Sequence, residues 1–459
     1  MVGTVLELCT LEELAELEEN DPAERARWVV SAPDPPGLWQ NLAICSMKKT
    51  AALVSALNNQ PKHKLLASLL QEAFPVLGWC QSYNVTKFKA DVIAGLTIAS
   101  LCIPQSMGYA TLAKLEPQYG LYTSVVPPFI YAVMGTSKDM VIGPVAVDSL
   151  LLSAMIQKLI IDDSRADLTS YKSLVFTATL FAGIFQAAFG IFRLGFLVDF
   201  FSHAASVGFM SGSAIIIGLQ QLKGLLGITN FTHKTDIISV MKSVSTGLAH
   251  QQWHINNFVL GCSCLTFVLI TRLLAYDEGV VIVRQVKTGF NPSSVHLLQF
   301  DGPYVTEVAK IGLIVAVVGL TEATAVGRSF ASLKGYHLDA NKEMVSFGFM
   351  NVIGSLTSCY VRSLSRTAVN FNAGGETLVS NMVMAVTVLI SLQLFTRFLY
   401  YTPMAAMASI ILSAIPQLIK LTEANHIWKV DKLDFLACIG AFFGVLFLRV
   451  EIGLLIAVK

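Results

Sequence analysis

Few residues in the apolar part of this sequence are equipped for chemistry, and they sit in four places. Gln105 and Tyr109 lie in LCIPQSMGYA (Leu101–Ala110), Asp148 in IGPVAVDSLLLS (Ile142–Ser153), Glu322 in VGLTEATAVG (Val318–Gly327) and Arg366 in RSLSR (Arg362–Arg366). The set is a carboxamide, a phenol, two acids and a guanidinium. The sequence has no CxxC pair, no GxGxxG, no GxxxxGK[ST] and no nucleophile triad, so an enzymatic role has no supporting residues. What such a set can do is hold an anion and a proton. Arg366 offers charge-assisted hydrogen bonds, Gln105 uncharged ones, and Glu322 a proton site. A buried acid whose proton occupancy depends on a bound anion couples the two ions by linkage. A plainer role stands beside each functional one: Gln105 pins two helices, Tyr109 packs, Glu322 makes a structural hydrogen bond, and Arg366 anchors at an interface.

The element that must position them is the stretch around Asp148. Gly143 and Pro144 break any helix, and Val145, Ala146 and Val147 read as a short extended piece. A helix can start at about Val147, and charge returns at Lys158 and Asp162. Roughly fifteen helical residues span about 22 Å, against a hydrocarbon core of about 30 Å. This predicts half a span. A broken helix at membrane depth has to face protein or a water-filled cavity, because lipid cannot satisfy its open amides. Its N-terminal end offers free N–H groups and partial positive charge, which suits an anion.

Composition sets the class. Of 459 residues, 54% are hydrophobic and 14% charged, the latter well below the roughly 25% of soluble domains; mean hydropathy is +0.61. The chain therefore reads as an all-α polytopic membrane protein contacting membrane lipids. A net charge of +1 gives no reason to expect nucleic acid as a partner. Residues 1–89 read as a cytoplasmic N-terminal region with an acidic run at Leu11–Asn20, and 90–459 as the transmembrane domain. Spans are expected at Asp91–Tyr109, Tyr119–Met134, the half-helix, Ser173–Phe192, Ala204–Leu222, Asn256–Ala275, Val305–Ala325, Met344–Thr357, Leu378–Phe395, Met404–Leu418 and Phe435–Phe447. Basic residues mark the cytoplasmic side: Lys87, Lys89, Lys138 and Arg193 early, Arg328, Lys334, Lys342, Lys429 and Lys432 late. Both sets agree only if one more crossing lies between Tyr276 and Tyr304, an interval too charged to supply it. Either one span is missing or the later half is inverted, and a missing span is the expectation because both late basic clusters agree.

The two halves echo each other. Leu101–Ala110 resembles Val318–Gly327, which pairs Gln105 with Glu322. Met134–Val147 has a counterpart in Ile353–Val369: a span ending in Gly, then Ser/Thr, a β-like piece, and a new helix start, expected over Ser363–Arg366. Paired discontinuous helices meeting at mid-depth are a binding-site signal in secondary transporters.

These residues resemble the sulfate permease (SulP) family of anion transporters, of the plant sulfate transporter type. The resemblance is carried by Gly95–Ser124, VIGPVAV, Phe192–Gly212, Gly218–Ile228, Asn341–Val361 and Lys429–Phe447. It implies an inverted-repeat (7+7) transporter fold with two half-helices preceded by short β pieces, in which a core domain moves against a gate domain. It implies proton-coupled sulfate symport, a homodimer and no cofactor, and the plasma membrane is the expected location. Carried over, the anion sits between the helix starts at Ala146, Val147 and Ser365, lined by Gln105 and Tyr109, with Glu322 as the proton-coupling acid and Arg366 as the nearby cation.

Departures from the family pattern bear on activity. The family has an apolar residue where this chain has Asp148; a carboxylate facing the site repels an anion by about 4 kcal/mol per unit pair at 4 Å and an effective dielectric of about 20. The bland alternative is that Asp148 caps its own helix or points away. The family's Thr-Gly-Ser-Phe-Ser-Arg is here RSLSR. The resemblance also implies a last span cut short and an absent C-terminal STAS domain. The alternative readings are a transport-defective or regulatory member and a carrier of another oxyanion.

Overall fold

Short polar side chains open three of the described helices. In the computed structural model, residues 74–80, 83–161, 168–195, 203–226, 228, 237–249, 259, 286–287, 289–300, 304–336, 338–364, 366–400, 402–419 and 421–448 are described. Helix α1 (Val85–Leu112) starts where Asn84 accepts a hydrogen bond from Lys87 N–H at 2.9 Å. Asp339 does the same for Asn341 and Lys342 at the start of α9 (Ala340–Leu356), and Asp431 for Leu433 at the start of α15 (Lys432–Phe443). Between them run α2 (Pro117–Thr123), α3 (Val126–Met134), β1 (Ile142–Gly143), α4 (Ala146–Ile161), α5 (Leu168–Ile191), α6 (His203–Leu226), α7 (Ile237–Ala249) and α8 (Val305–Lys334). After α9 come β2 (Ser363–Leu364), α10 (Thr367–Asn372), α11 (Val379–Leu394), α12 (Thr396–Tyr400), α13 (Met404–Leu418) and α14 (Leu421–Val430).

The chain forms two compact units, Met1–Gly78 and Trp79–Lys459. Of the first, residues 74–78 are described; Leu77 N–H donates to Phe74 O there at 3.1 Å. The second holds everything discussed below. Among the described residues three helices are long and apolar enough to cross a membrane: Val85–Leu112, Tyr171–Ile191 and Val305–Arg328. Helix α4 has 16 residues, or about 24 Å, so it falls short of a full crossing as its sequence predicts.

Three expectations need correction. The extended piece read over Val145–Val147 lies at Ile142–Gly143, and Ala146 and Val147 already belong to α4, because Pro144 has no N–H and fits just ahead of a helix start. The span over Tyr119–Met134 is two helices, α2 and α3. Pro127 and Pro128 lack N–H donors and fit only in a first turn, so the helix restarts at Val126. The second helix start, expected over Ser363–Arg366, lies at Thr367, because the backbone of Ser363 and Leu364 is committed to a ladder with β1. The resulting half-helix α10 has six residues. Of the interval from Tyr276 to Tyr304, where a missing crossing is inferred, residues 286–287, 289–300 and 304 are described, with a single 3-10 turn at Val295–Leu297; the rest lies outside the described residues, as do the acidic N-terminal run and the final apolar segment.

Two groups of helices pack. In one, α1, α3, α5, α8, α9 and α11 surround α4 and the β ladder. Glycine sets the spacing between α5 and α9: a Cβ on Gly183 would lie 2.6 Å from Val352 N. In the other group α6 packs on α13 and α15, with Gly208 pressed against the Cys438 carbonyl. Contacts of α6 with α4 and of α13 with α1 join the groups.

Two buried acids tie the halves of the sequence together. Asp91 of α1 accepts from Glu376 N–H at 2.8 Å, Thr377 N–H at 3.0 Å, Thr377 Oγ1 at 2.5 Å and Tyr83 OH at 3.2 Å, ahead of α11. Glu343 of α9 accepts from Thr136 N–H at 2.8 Å, Ser137 N–H at 3.1 Å and Tyr131 OH at 2.9 Å, and also from Thr136 Oγ1, ahead of β1. Each carboxylate serves backbone amides that no helix or strand satisfies.

Candidate functional site

The two interrupted elements meet. Strands β1 and β2 pair antiparallel, Ile142 opposite Leu364 and Gly143 opposite Ser363. Side chains from the second half secure the backbone leading into β1. Asn370 Nδ2 donates to Asp139 O at 3.0 Å, Asn381 Nδ2 to Met140 O at 2.6 Å, and Thr367 Oγ1 accepts from Val141 N–H at 3.3 Å. Lys334 Nζ, at the end of α8, pairs with buried Asp139 at 2.5 Å and reaches Gly375 O at 3.2 Å. From the other side, Tyr360 N–H donates to Thr123 Oγ1 at 3.2 Å, and Ser363 Oγ to Gly319 O at 3.1 Å. The ladder thus sits against α3 and α8, just ahead of the starts of α4 and α10.

Helix α4 leaves this junction at Ala146. Its first i to i+4 bond within reach of the ladder runs from Ser149 N–H to Val145 O at 3.0 Å. The amides of Ala146, Val147 and Asp148 precede it, and both Ala146 and Val147 are buried. On the opposite side Arg366 adopts a left-handed backbone, φ 59°, immediately before α10. Its Nε donates to Gln105 Oε1 at 2.7 Å and its Nη2 to Ser106 Oγ at 3.3 Å, which leaves Nη1 buried with no acceptor among the described residues. Ser106 Oγ is itself 2.9 Å from Ser124 Oγ. A six-residue helix has little dipole, so the positive charge on this side belongs to the guanidinium and not to a second helix end.

Phenols lie between these charges. Tyr109, 7% exposed, feels the charges of Arg366 and Glu322. Tyr360, fully buried, receives the Ser149 hydroxyl at 3.3 Å and feels Arg366 and Asp148. Glu322 lies on α8 one turn beyond Gly319, whose face meets Asp148, Gln186 and Ser363. Asp148 does not cap α4: neither carboxylate oxygen has a hydrogen-bond partner among the described residues, and the side chain is wholly buried. Behind this face Asn351 Nδ2 donates to Gln186 Oε1 at 2.6 Å, and Gln186 Nε2 to Ala316 O at 3.3 Å.

Of the residues singled out from sequence, Gln105 and Arg366 are in direct contact. Tyr109 and Glu322 share their electrostatic neighbourhood, and Ala146 and Val147 form the first turn of α4. Ser365 lies outside the described residues. Sequence reasoning missed Ser106, Tyr360 and Arg362. Ser106 follows Gln105 directly, and that adjacency was the available signal. Arg362 is fully buried, its guanidinium lies against Gly354, and it interacts with the Cys359 thiol. The arrangement can bind an anion between amides and a guanidinium, with a carboxyl group within electrostatic reach. Among the described residues no cluster of metal-ligating side chains occurs.

A profile of the sulfate permease family matches residues 88–277 and 272–441. Sulfate transporter 2.1 of Arabidopsis thaliana is 58% identical over 474 residues, covering 96% of this chain and 70% of that protein. Low affinity sulfate transporter 3 of Stylosanthes hamata is 57% identical over 475 residues, covering 95% and 73%. Among solved structures, the murine Solute Carrier 26 family member A9 anion transporter in its inward-facing state superposes with a TM-score of 0.74 at 22% identity, over 87% of this chain and 71% of that one. The transmembrane domain of a cyanobacterial bicarbonate transporter, BicA, gives a TM-score of 0.68 at 20% identity, over 82% and 99%. Both likenesses concern the fold: a helical membrane transporter.

Proposed function

Because the chain belongs to the sulfate permease family and is an integral membrane transporter rather than an enzyme, we propose that it carries sulfate across the membrane together with protons. The observation that carries this reading is the meeting of the two broken elements, with Arg366 Nη1 beside them and without an acceptor among the described residues. Relatives more than half identical are named sulfate transporters, which supports sulfate as the anion. In this reading sulfate lies against the first-turn amides at Ala146 and Val147 and against Arg366. Gln105 orients the guanidinium, Tyr109 closes the side, and Ser365 contributes at the second helix start. Glu322 exchanges the coupled proton; its charge state is linked to that of the anion through their shared neighbourhood.

The same proposal holds the finer architecture: two inverted seven-segment repeats lacking one crossing between Tyr276 and Tyr304, residues 1–89 in the cytoplasm and 90–459 as the transport body, a homodimer, and the plasma membrane as location. Labelled-sulfate uptake in cells lacking their own carrier, at acid and neutral pH, tests it. Uptake above the empty-vector level that rises with external acidity is expected, and Glu322→Gln removes the pH dependence while leaving protein at the membrane. Uptake equal to the vector at both pH values ends the transport reading.

A further inference from the structure

The turn after α1 holds a lysine where glycine is the usual occupant. Leu115 N–H donates to Ala110 O at 2.9 Å and Lys114 N–H to Thr111 O at 3.1 Å, the pair of bonds that ends a helix on a left-handed residue. Lys114 is that residue, with φ 58°. Tyr171 OH donates to Ala113 O at 2.6 Å and fixes the turn against α5. Lys114 is half-buried, and its ammonium lies in the field of Lys223, which is exposed in the last turn of α6. Burial and that neighbouring ammonium push the Lys114 amine down to about 8. Lys223 has no carboxylate partner among the described residues. We infer that Lys114 and Lys223 form a second anion site, at the mouth of the molecule, which captures a divalent oxyanion of the sulfate type ahead of the pocket between the broken elements. The inference takes its ion from the reading above and uses none of the geometry proposed for the central site.

Helix α1 belongs to the first group of helices and α6 to the second, so the two lysines face each other across the boundary between the groups. Lys87 and Lys89 stand at the start of α1 and Lys114 just past its end. In the orientation proposed above the pair therefore lies outside, where the bias that places basic residues in the cytoplasm gives no reason for them. Helix α13 packs on both α1 and α6. A Cβ on Gly108 would meet Ile411 and Met407, and one on Gly224, next to Lys223, would lie 3.3 Å from Met404 O. The opening turn of α13 thus sits beside Lys223; its N-cap, Pro403, supplies no side-chain hydrogen bond, and the partial positive charge of that helix end adds to the field. The nearest acid along the chain, Glu116, is held by Lys172 at 2.5 Å, and α13 carries no ionisable side chain. Two ammoniums that repel one another are both compensated by one ion with two negative charges, whereas a monovalent ion leaves one charge over.

The test is acetylation of the full chain in lipid nanodiscs by acetic anhydride, read lysine by lysine by mass spectrometry, with sodium sulfate or sodium nitrate at matched ionic strength. Sulfate at about four times its half-protecting concentration leaves about a fifth of the site free, so labelling of Lys114 and Lys223 is expected to slow roughly fivefold. Labelling of the exposed Lys89 and Lys310 is expected to stay unchanged, and nitrate to protect the pair less than half as well. Lys223→Gln is expected to abolish protection at Lys114, and Arg366→Lys, which weakens the central site, to leave it in place. Equal slowing at Lys89 and Lys310, or protection by nitrate as strong as by sulfate, overturns the inference. So does protection lost in Arg366→Lys, since the lysines then report the central site. No slowing in a chain that takes up sulfate overturns the second site and leaves the proposed function standing. Selective protection in a chain that shows no uptake supports the second site and removes only the transport reading.

Discussion

Glu343 offers the sharpest test of how this fold places its site. It is 1% exposed and accepts four hydrogen bonds, two of them from the backbone amides of Thr136 and Ser137, six residues or fewer ahead of β1. Hydrogen bonds to a charged acceptor contribute about 1.5–3 kcal/mol each, and a buried donor left without a partner costs a similar amount. Glu343→Ala strips the acceptor from both amides, so a loss of about 3–6 kcal/mol follows from the amides alone. Glu343→Gln keeps one oxygen for the amides and turns an NH2 toward Tyr131 OH. That hydroxyl lies 3.2 Å from Met140 Sδ and can turn its proton to the sulfur while accepting from the new amide. The expected cost is about 1–2 kcal/mol. Unfolding of the purified chain by SDS titration in mixed micelles gives the order wild type, Gln, Ala. A double-mutant cycle of Glu343→Gln with Tyr131→Phe should show coupling of about 1 kcal/mol. An alanine variant within about 1 kcal/mol of wild type, or one more stable than the glutamine variant, would refute the reasoning that this carboxylate supports the approach to β1.

Further outcomes follow from other contacts. Arg366→Lys cannot hold Gln105 and Ser106 at once, since an ammonium is a point donor where the guanidinium is a fork; anion affinity measured by calorimetry should fall at least tenfold, roughly the value of one charge-assisted bond. Gly183→Ala drives a methyl into the α9 backbone and should cost about 1–3 kcal/mol, whereas Gly319→Ala meets neighbours at ordinary contact distance, 3.6 Å or more, and should unfold like wild type. Tyr336, in the loop after α8, is pushed up to about 12 by burial and by the adjacent Asp139 carboxylate. A raised folded-state value means stability present below the unfolded value of about 10 and lost as pH climbs toward 12. Wild type should therefore lose its advantage over Tyr336→Phe across that window in thermal unfolding scans, and a constant difference between the two proteins would contradict the assignment.

The break at Gly143 and Pro144 was readable because two residue types that end helices stand together inside an apolar run, and a helix too short to cross follows them. Gln105, Glu322 and Arg366 were readable because a polar group in such a run needs a reason to be there. That Arg366 bonds Gln105 and Ser106 was not readable, since about 260 residues separate the partners and no local pattern encodes the meeting. The same holds for Asp91 and Glu343. Each sits in the first or second turn of its helix, where an acid is unremarkable by itself, and the amides it serves lie in the other half of the sequence. The start of α10 lies later than its sequence suggests for a local reason: Ser363 and Leu364 suit a helix start as well as a strand, and pairing with β1 decides between them.

The ladder between β1 and β2 is two residues long, yet it binds the chain to itself across a gap of more than two hundred positions. With Asn370, Asn381 and Thr367 holding one flank and Thr123 the other, neither half-helix can slide without dragging its counterpart. If the chain carries an anion by moving one group of helices against the other, the plane of slippage has to run outside this seam. The softer boundary is the one where α6 and α13 touch α4 and α1. An ion seated between the half-helices would travel as a passenger in a single rigid carriage.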